Sequence, residues 1–142
     1  SLYNLHTGER INQPYWMAGN YLPESLSAIN NVLRDHRSGE VYPMDPGLLD
    51  LLSALQQRVG SRHGYEVISG YRSPASNAML HKTSNGVAKR SLHMQGRAID
   101  IRLPGTRLAS LHGAAKEMKA GGVGLYTASN FIHVDTGNVR YW

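Results

Sequence analysis

A histidine and a carboxylate seven positions apart, with a glycine between them, form the most chemically suggestive stretch of this sequence: Ser91-Leu92-His93-Met94-Gln95-Gly96-Arg97-Ala98-Ile99-Asp100. Gly96 permits a sharp turn, so His93 on a loop can fold back over a strand that bears Asp100. Ala98 to Arg102 alternates as a strand does, sending Ile99 and Ile101 to a core and Asp100 to the opposite face. About thirty residues later, Phe131-Ile132-His133-Val134-Asp135 puts His133 and Asp135 on one face of a second strand, because side chains two apart point the same way. If the two strands are neighbours, two imidazoles and a carboxylate converge with a fourth position open, which is what a catalytic zinc requires. An ion so held brings the pKa of a water down to about 7, giving a nucleophile near neutral pH. Taken alone the spacing is a weak signal, since the chain has seven His and ten acidic residues and a solitary histidine is more often a surface residue.

Other elements must hold these strands in place. Pro23 can open a helix, and Leu26, Ile29 and Leu33 recur at helical spacing as far as Leu33-Arg34-Asp35. Asp45-Pro46 reads as an N-cap followed by proline at the first helical position, ahead of an apolar stripe of Leu48, Leu49, Leu52, Leu55 and Val59. Tyr65-Glu66-Val67-Ile68 is a short strand ended by Ser69-Gly70, Pro74 to Leu80 suits a helical turn, and Thr83 to Lys89 is a polar loop. Thr106 is placed to cap a helix bearing Leu108, Leu111, Ala115 and Met118, which Gly121-Gly122 should stop. Val123 to Tyr126, Phe131 to Asp135 and Val139 to Trp142 read as three short strands. The expected architecture is one α+β domain over residues 1–142, with helices on one face of a small antiparallel sheet and a zinc cleft on the other. Residues 1–22 are expected to be an irregular or short-stranded wrap, and residues 65–142 to carry the metal site.

Composition sets the limits. With 142 residues there is room for one ordinary core and not two. No run nears the roughly eighteen apolar residues of a bilayer span, so stable membrane insertion is not expected. The absence of cysteine rules out disulfides and thiolate sites, leaving His and carboxylate for any transition metal. The net charge of +5 suits an anionic polymer. Lys and Arg are scattered, without the basic stripe and interleaved aromatics of single-strand binders, so nucleic acid is not an expected partner.

Three motifs add a resemblance to these readings. Ile68-Ser69-Gly70-Tyr71-Arg72-Ser73, the Ser-x-His-x-x-Gly-x-Ala-x-Asp pattern from Ser91 to Asp100, and Phe131-Ile132-His133-Val134-Asp135-Thr136-Gly137 appear in that order. In them the chain resembles the zinc D-Ala-D-Ala carboxypeptidase and murein endopeptidase superfamily, peptidase family M15. It is most similar to the periplasmic murein endopeptidase branch, which also carries Leu33-Arg34-Asp35-His36-Arg37 and Asp45-Pro46-x-Leu48-Leu49-Asp50. The likeness covers nearly the whole chain, from Leu5-His6-Thr7-Gly8-Glu9 onward. It implies a hedgehog/D-Ala-D-Ala peptidase-like fold and one Zn²⁺ per chain, held by His93, Asp100 and His133. Arg72 would stand near the scissile carbonyl as the cation that stabilises its oxyanion, and Ser91 would bond substrate or brace the loop. The implied substrate is the peptide cross-link of peptidoglycan, cut by a monomeric periplasmic endopeptidase.

One position departs from the pattern. Related carboxypeptidases carry a glutamate base three residues before the last histidine, where this chain has Asn130, which cannot accept a proton. Three roles are therefore open to Asp135: catalytic base, acceptor for the ring N–H of a ligand histidine, or ligand with His133 as base. A carboxypeptidase trimming terminal D-alanine and a non-catalytic zinc-bearing murein-binding module are the alternative functions. His36 and His81 are further candidates for the cleft, as are Tyr71 and Tyr126, whereas His6, His63 and His112 have no defensible partner at ligand spacing.

Overall fold

Prolines and a carboxylate start the helices. In the computed structural model, which describes residues 1–84 and 87–142, helix α1 (Pro23–Val32) begins at its proline. Helix α2 (Pro46–Val59) begins after Asp45, whose carboxylate accepts the Gly47 N–H at 2.9 Å, and ends at Gly60 with φ 70°. Helix α1 does not run on to Asp35. Beyond Val32 the chain enters a tight turn in which Asp35 N–H donates to the Glu40 carbonyl and the Asp35 carbonyl accepts from Gly39. Helix α3 (Pro74–Thr83) is capped by the Ser73 hydroxyl, which accepts the Ser76 N–H. It extends past the expected end at Leu80 into the polar loop, of which Asn85 and Gly86 lie outside the described residues. Helix α4 (Leu108–Met118) has Arg107, not Thr106, at its N-cap, and ends at Lys119 in the left-handed region (φ 49°).

Gly121-Gly122, expected as the stop of that helix, serves the sheet instead. Any side chain at Gly121 would collide with the Asp135 carbonyl oxygen, and one at Gly122 would come within 2.6 Å of Asp135 Oδ2. The two glycines let their strand pass close beside that carboxylate.

The sheet corrects the expectation of a small antiparallel one. Strands β1 (Leu2–Asn4), β2 (Arg10–Ile11), β5 (Tyr65–Ser69), β6 (Ala98–Arg102), β7 (Gly122–Tyr126), β8 (Phe131–Asp135) and β9 (Arg140–Tyr141) form one seven-stranded mixed sheet in the order β2-β1-β5-β6-β8-β7-β9. The central pairings β5–β6, β6–β8 and β8–β7 are antiparallel, but β1 lies parallel to β5 and β9 parallel to β7. Part of the 1–22 segment thus joins the sheet, and β3 (Trp16–Met17) and β4 (Asn20–Tyr21) make a separate two-stranded ladder. Parallel neighbours need long connections, and these are the excursions through α1 and α2 and through β8.

Alternation within β6 and β8 sorts the two faces. Ile99, Ile101, Ile132 and Val134 join Leu48, Leu52, Leu55 and Leu111 in one buried cluster fed by α1, α2 and α4. Burying a side chain of this size contributes about 1.5–3 kcal/mol. None of α3 belongs to that cluster, and its buried Asn77 bonds Arg72 instead. The helices therefore do not all cover one face, because α3 flanks the cleft.

Candidate metal centre and its cleft

Register brings together two of the three residues expected to hold a metal, and a 3₁₀ turn adds the third. In the β6–β8 pairing Asp100 lies opposite His133, as Ile99 does opposite Val134. Strand pairing alone therefore puts a carboxylate and an imidazole side by side on the face away from the core. His93 arrives on a single 3₁₀ turn, Leu92–Gln95, whose cap is the Ser91 hydroxyl accepting the His93 N–H at 3.1 Å. Gly96 ends that turn at φ 66°, where a Cβ would stand 2.5 Å from the Pro43 carbonyl oxygen, so only glycine lets the loop fold back. The His93 carbonyl accepts the Arg72 N–H, tying the turn to the segment after β5.

One donor atom from each of His93, Asp100 and His133 lies within 4.8 Å of the others, and all three residues are buried. His93 Nε2 is 3.2 Å and His133 Nδ1 is 3.1 Å from the same oxygen, Asp100 Oδ1. Zinc bonds of about 2.0–2.1 Å at tetrahedral angles put neighbouring donors about 3.3 Å apart, so this spacing fits a divalent ion. The far ring nitrogens are also occupied as metal-bound histidines require: His93 Nδ1 lies 2.8 Å from the Gly70 carbonyl, and His133 Nε2 lies 2.7 Å from Asp135 Oδ2. Burial alone would raise the Asp100 carboxyl, but the charge of His93 and hydrogen bonds from both imidazoles hold it well below the usual carboxylate range.

Asp135 is wholly inaccessible to solvent. Besides His133 it accepts the backbone N–H groups of Gly122 and Gly137, each at 2.9 Å, and a two-pronged grip from Arg140 at 3.0 and 2.8 Å. Burial pushes its carboxyl up, but these donors prevail and keep it far below its ordinary value. Burial works to lower the His133 imidazole, but hydrogen bonds and negative charge from Asp100 and then Asp135 prevail and raise it above its ordinary value. The Trp142 indole lies 5.0 Å from the His133 ring and donates to the Tyr126 hydroxyl at 2.9 Å.

Arg72 is buried, with Nη1 donating to Asn77 Oδ1 at 3.1 Å and Nη2 3.9 Å from Asp100 Oδ2. It stands beside the three donors with its guanidinium held still. Asn130 sits in the β7–β8 turn at φ 55° and is absent from the cleft lining. The cleft is about 660 Å³ and reaches from His6 and His36 across the three donors to Tyr126 and Trp142.

His36 is in the cleft and His81 is not. Tyr71 instead packs into the core, stacked on Tyr42 with centroids 4.7 Å apart. Sequence reasoning overlooked Arg140, Gly122, Gly137 and Trp142. A signal was present in Asp135-Thr136-Gly137 followed by Arg140, where a carboxylate, a glycine amide and a cation fall within six residues.

The sequence profile of a family described as peptidoglycan L,D-endopeptidase MepK matches residues 1–142. The peptidoglycan L,D-endopeptidase MepK of Escherichia coli (strain K12) is 44% identical over 142 residues, covering 100% of this chain and 78% of that protein. A probable peptidoglycan L,D-endopeptidase MepK of Haemophilus influenzae is 44% identical over 140 residues, covering 98% of this chain and 75% of that protein. No solved structure matches significantly.

Proposed function

We infer that this chain, which belongs to the M15_2 peptidase family, is a zinc-dependent endopeptidase that hydrolyses peptide cross-links of peptidoglycan in the periplasm. The observation that carries the reading is the convergence of donor atoms of His93, Asp100 and His133 within 4.8 Å of one another in the lining of the cleft, with both imidazoles 3.1–3.2 Å from Asp100 Oδ1. Two imidazoles and a carboxylate form a donor set that suits zinc, and a zinc ion there supplies Lewis acidity toward an amide carbonyl and lowers the pKa of water.

The chain's own residues do the rest. Asp135 Oδ2 accepts a hydrogen bond from His133 Nε2–H, which keeps the ring proton on that nitrogen and leaves Nδ1 free to face the other donors. Of the three roles open to Asp135, this positioning role has the most support, because its oxygens are saturated by four donor groups and sealed from the cleft. The Gly70 carbonyl does the same for His93 through Nδ1. Arg72, immobilised by Asn77, presents a fixed positive charge beside Asp100, placed to stabilise an oxyanion at the scissile carbon. Among the described residues its buried Nε has no hydrogen-bond partner, which suits a guanidinium held for its charge more than for structural pairing. Ser91 braces the turn that carries His93.

The test is digestion of purified cross-linked peptidoglycan by the zinc-loaded protein, with metal content measured alongside. Cross-linked peptides should be converted to uncross-linked ones, and His93→Ala and His133→Ala should each lose both metal and hydrolysis by about a hundredfold or more. Loaded protein that binds the polymer and releases no new amine would make it a zinc-bearing binding module instead.

A further inference from the structure

One wall of the cleft has no part in holding an ion, yet it gathers two imidazoles beside a guanidinium. His6, in the loop after β1, and His36, in the turn after α1, stack face to face with centroids 3.8 Å apart and planes 3° from parallel. Arg37 lies next to them, exposed, and among the described residues its guanidinium has no ion-pair or hydrogen-bond partner. Arg34, by contrast, is paired with Glu9.

Among the described residues no carboxylate faces the cleft from this wall. Asp100 is the one carboxylate lining the described cleft, and it belongs to the ion's ligand set. Asp35 is adjacent in sequence but turns inward, where its oxygens accept the N–H groups of Arg37, Ser38 and Ser73. The His36 imidazole accordingly sits below its ordinary value, from burial first and then from the positive charges of His6 and Arg37, with Arg72 adding to them against Asp35. The unpaired Arg37 guanidinium beside the half-buried His36 at the cleft wall attracts an anion of the ligand. Stacked imidazoles and a planar guanidinium can offer several N–H donors to one carboxylate.

We propose that His6, His36 and Arg37 form a carboxylate-binding subsite that holds a free carboxylate of the substrate on the residue supplying the leaving amine. This rests on the peptidase reading given above. It adds a selection rule: the amide that is cut is one whose amine carbon, or a near neighbour, bears an ionised carboxyl group. The subsite shares the cleft with Arg72 and the three donors, so a carboxylate anchored there sets how deep the peptide lies across them.

The experiment uses two synthetic cross-linked peptides that differ only in this carboxylate, free in one and a carboxamide in the other. The zinc-loaded wild type should cleave the acid with a kcat/KM about tenfold or more above that of the carboxamide, because charge-assisted bonds are roughly twice as strong as neutral ones. Arg37→Gln and His36→Asn should each bring that ratio below about threefold, mainly through KM, with zinc content equal to wild type. A wild-type ratio near one, or variants that keep the wild-type ratio, would overturn the subsite while leaving the peptidase reading intact. If the wild type cleaves neither peptide, the peptidase reading falls. Calorimetric titration with the uncross-linked acid and its carboxamide then decides the subsite: preferential binding of the acid that Arg37→Gln abolishes supports it, and equal binding refutes it.

Discussion

Two carboxylates, Asp35 and Asp135, are almost equally buried, 1% and 0% exposed, and both are held far below the usual carboxylate range. They differ in what they accept from. Asp35 takes backbone N–H groups at Arg37, Ser38 and Ser73, and the hydroxyls of Ser73 and Ser76 also lower its pKa. It pins a turn to the N-terminus of α3 and has no contact with a ligand histidine. Asp135 takes two backbone N–H groups as well, but also a cation and the ring N–H of His133. Burial and a depressed pKa therefore do not separate a structural carboxylate from one that serves the site. The identity of the donors does.

The largest effect that would break this contrast is at Asp135. Asp135→Ala leaves Arg140 and two backbone donors without their acceptor, and removing one partner of a buried pair costs about 3–5 kcal/mol. It also frees the His133 ring, and losing a ligand's outer partner lowers metal affinity about 10–100-fold. Urea unfolding and zinc competition with a chelator should show both losses. A variant that is destabilised but binds zinc as tightly as wild type would show that β8 alone orients His133.

Asp35→Ala should be milder and one-sided. Orphaned backbone donors cost about 1–3 kcal/mol in stability, with zinc affinity within about twofold of wild type. If zinc binding falls with stability here too, the two carboxylates are not distinct, and the ion reports only on the general soundness of the fold.

The smallest effect is in the acid limb of stability. Burial works to raise the Asp35 carboxyl, but its hydrogen bonds win and its folded pKa lies below the unfolded value of about 3.9. Its contribution is therefore complete above about pH 4 and is lost as pH falls further, when the unfolded state binds the proton first. Between about pH 4 and pH 2 the melting temperature of Asp35→Asn should fall less steeply than that of wild type. Equal slopes would mean that Asp35 does not titrate differently in the two states.

How much of this could be read from residue types follows from the range of the forces involved. The Asp45-Pro46 helix start is a local matter of one cap and one missing N–H, and it is legible. The alternation of Ile99, Asp100 and Ile101 and of Ile132, His133 and Val134 fixes which side chains share a face, so Asp100 and His133 meet once β6 and β8 are neighbours, and Gly96 marks the turn that adds His93. The parallel placement of β1 and β9 was not legible, because strands of two or three residues carry no periodicity and their pairing is decided by distant partners. Lys119 ending α4 in place of Gly121 has the same origin: the glycines were needed where the chain passes Asp135, and the sequence marks a glycine without saying which neighbour requires it. The His6–His36 stack joins the loop after β1 to the turn after α1, and no spacing rule reaches that far.

The parallel seam between β1 and β5 has a consequence for the order of assembly. Pairing Leu2 with Tyr65 must close a loop from position 2 to position 65, whereas pairing Asp100 with His133 closes one about half as long. Longer closures cost more chain entropy and come later. A transient breath that peels the first strand away would carry off His6 while His93, Asp100 and His133 stay together, so the His6–His36 stack would part before the three buried side chains do.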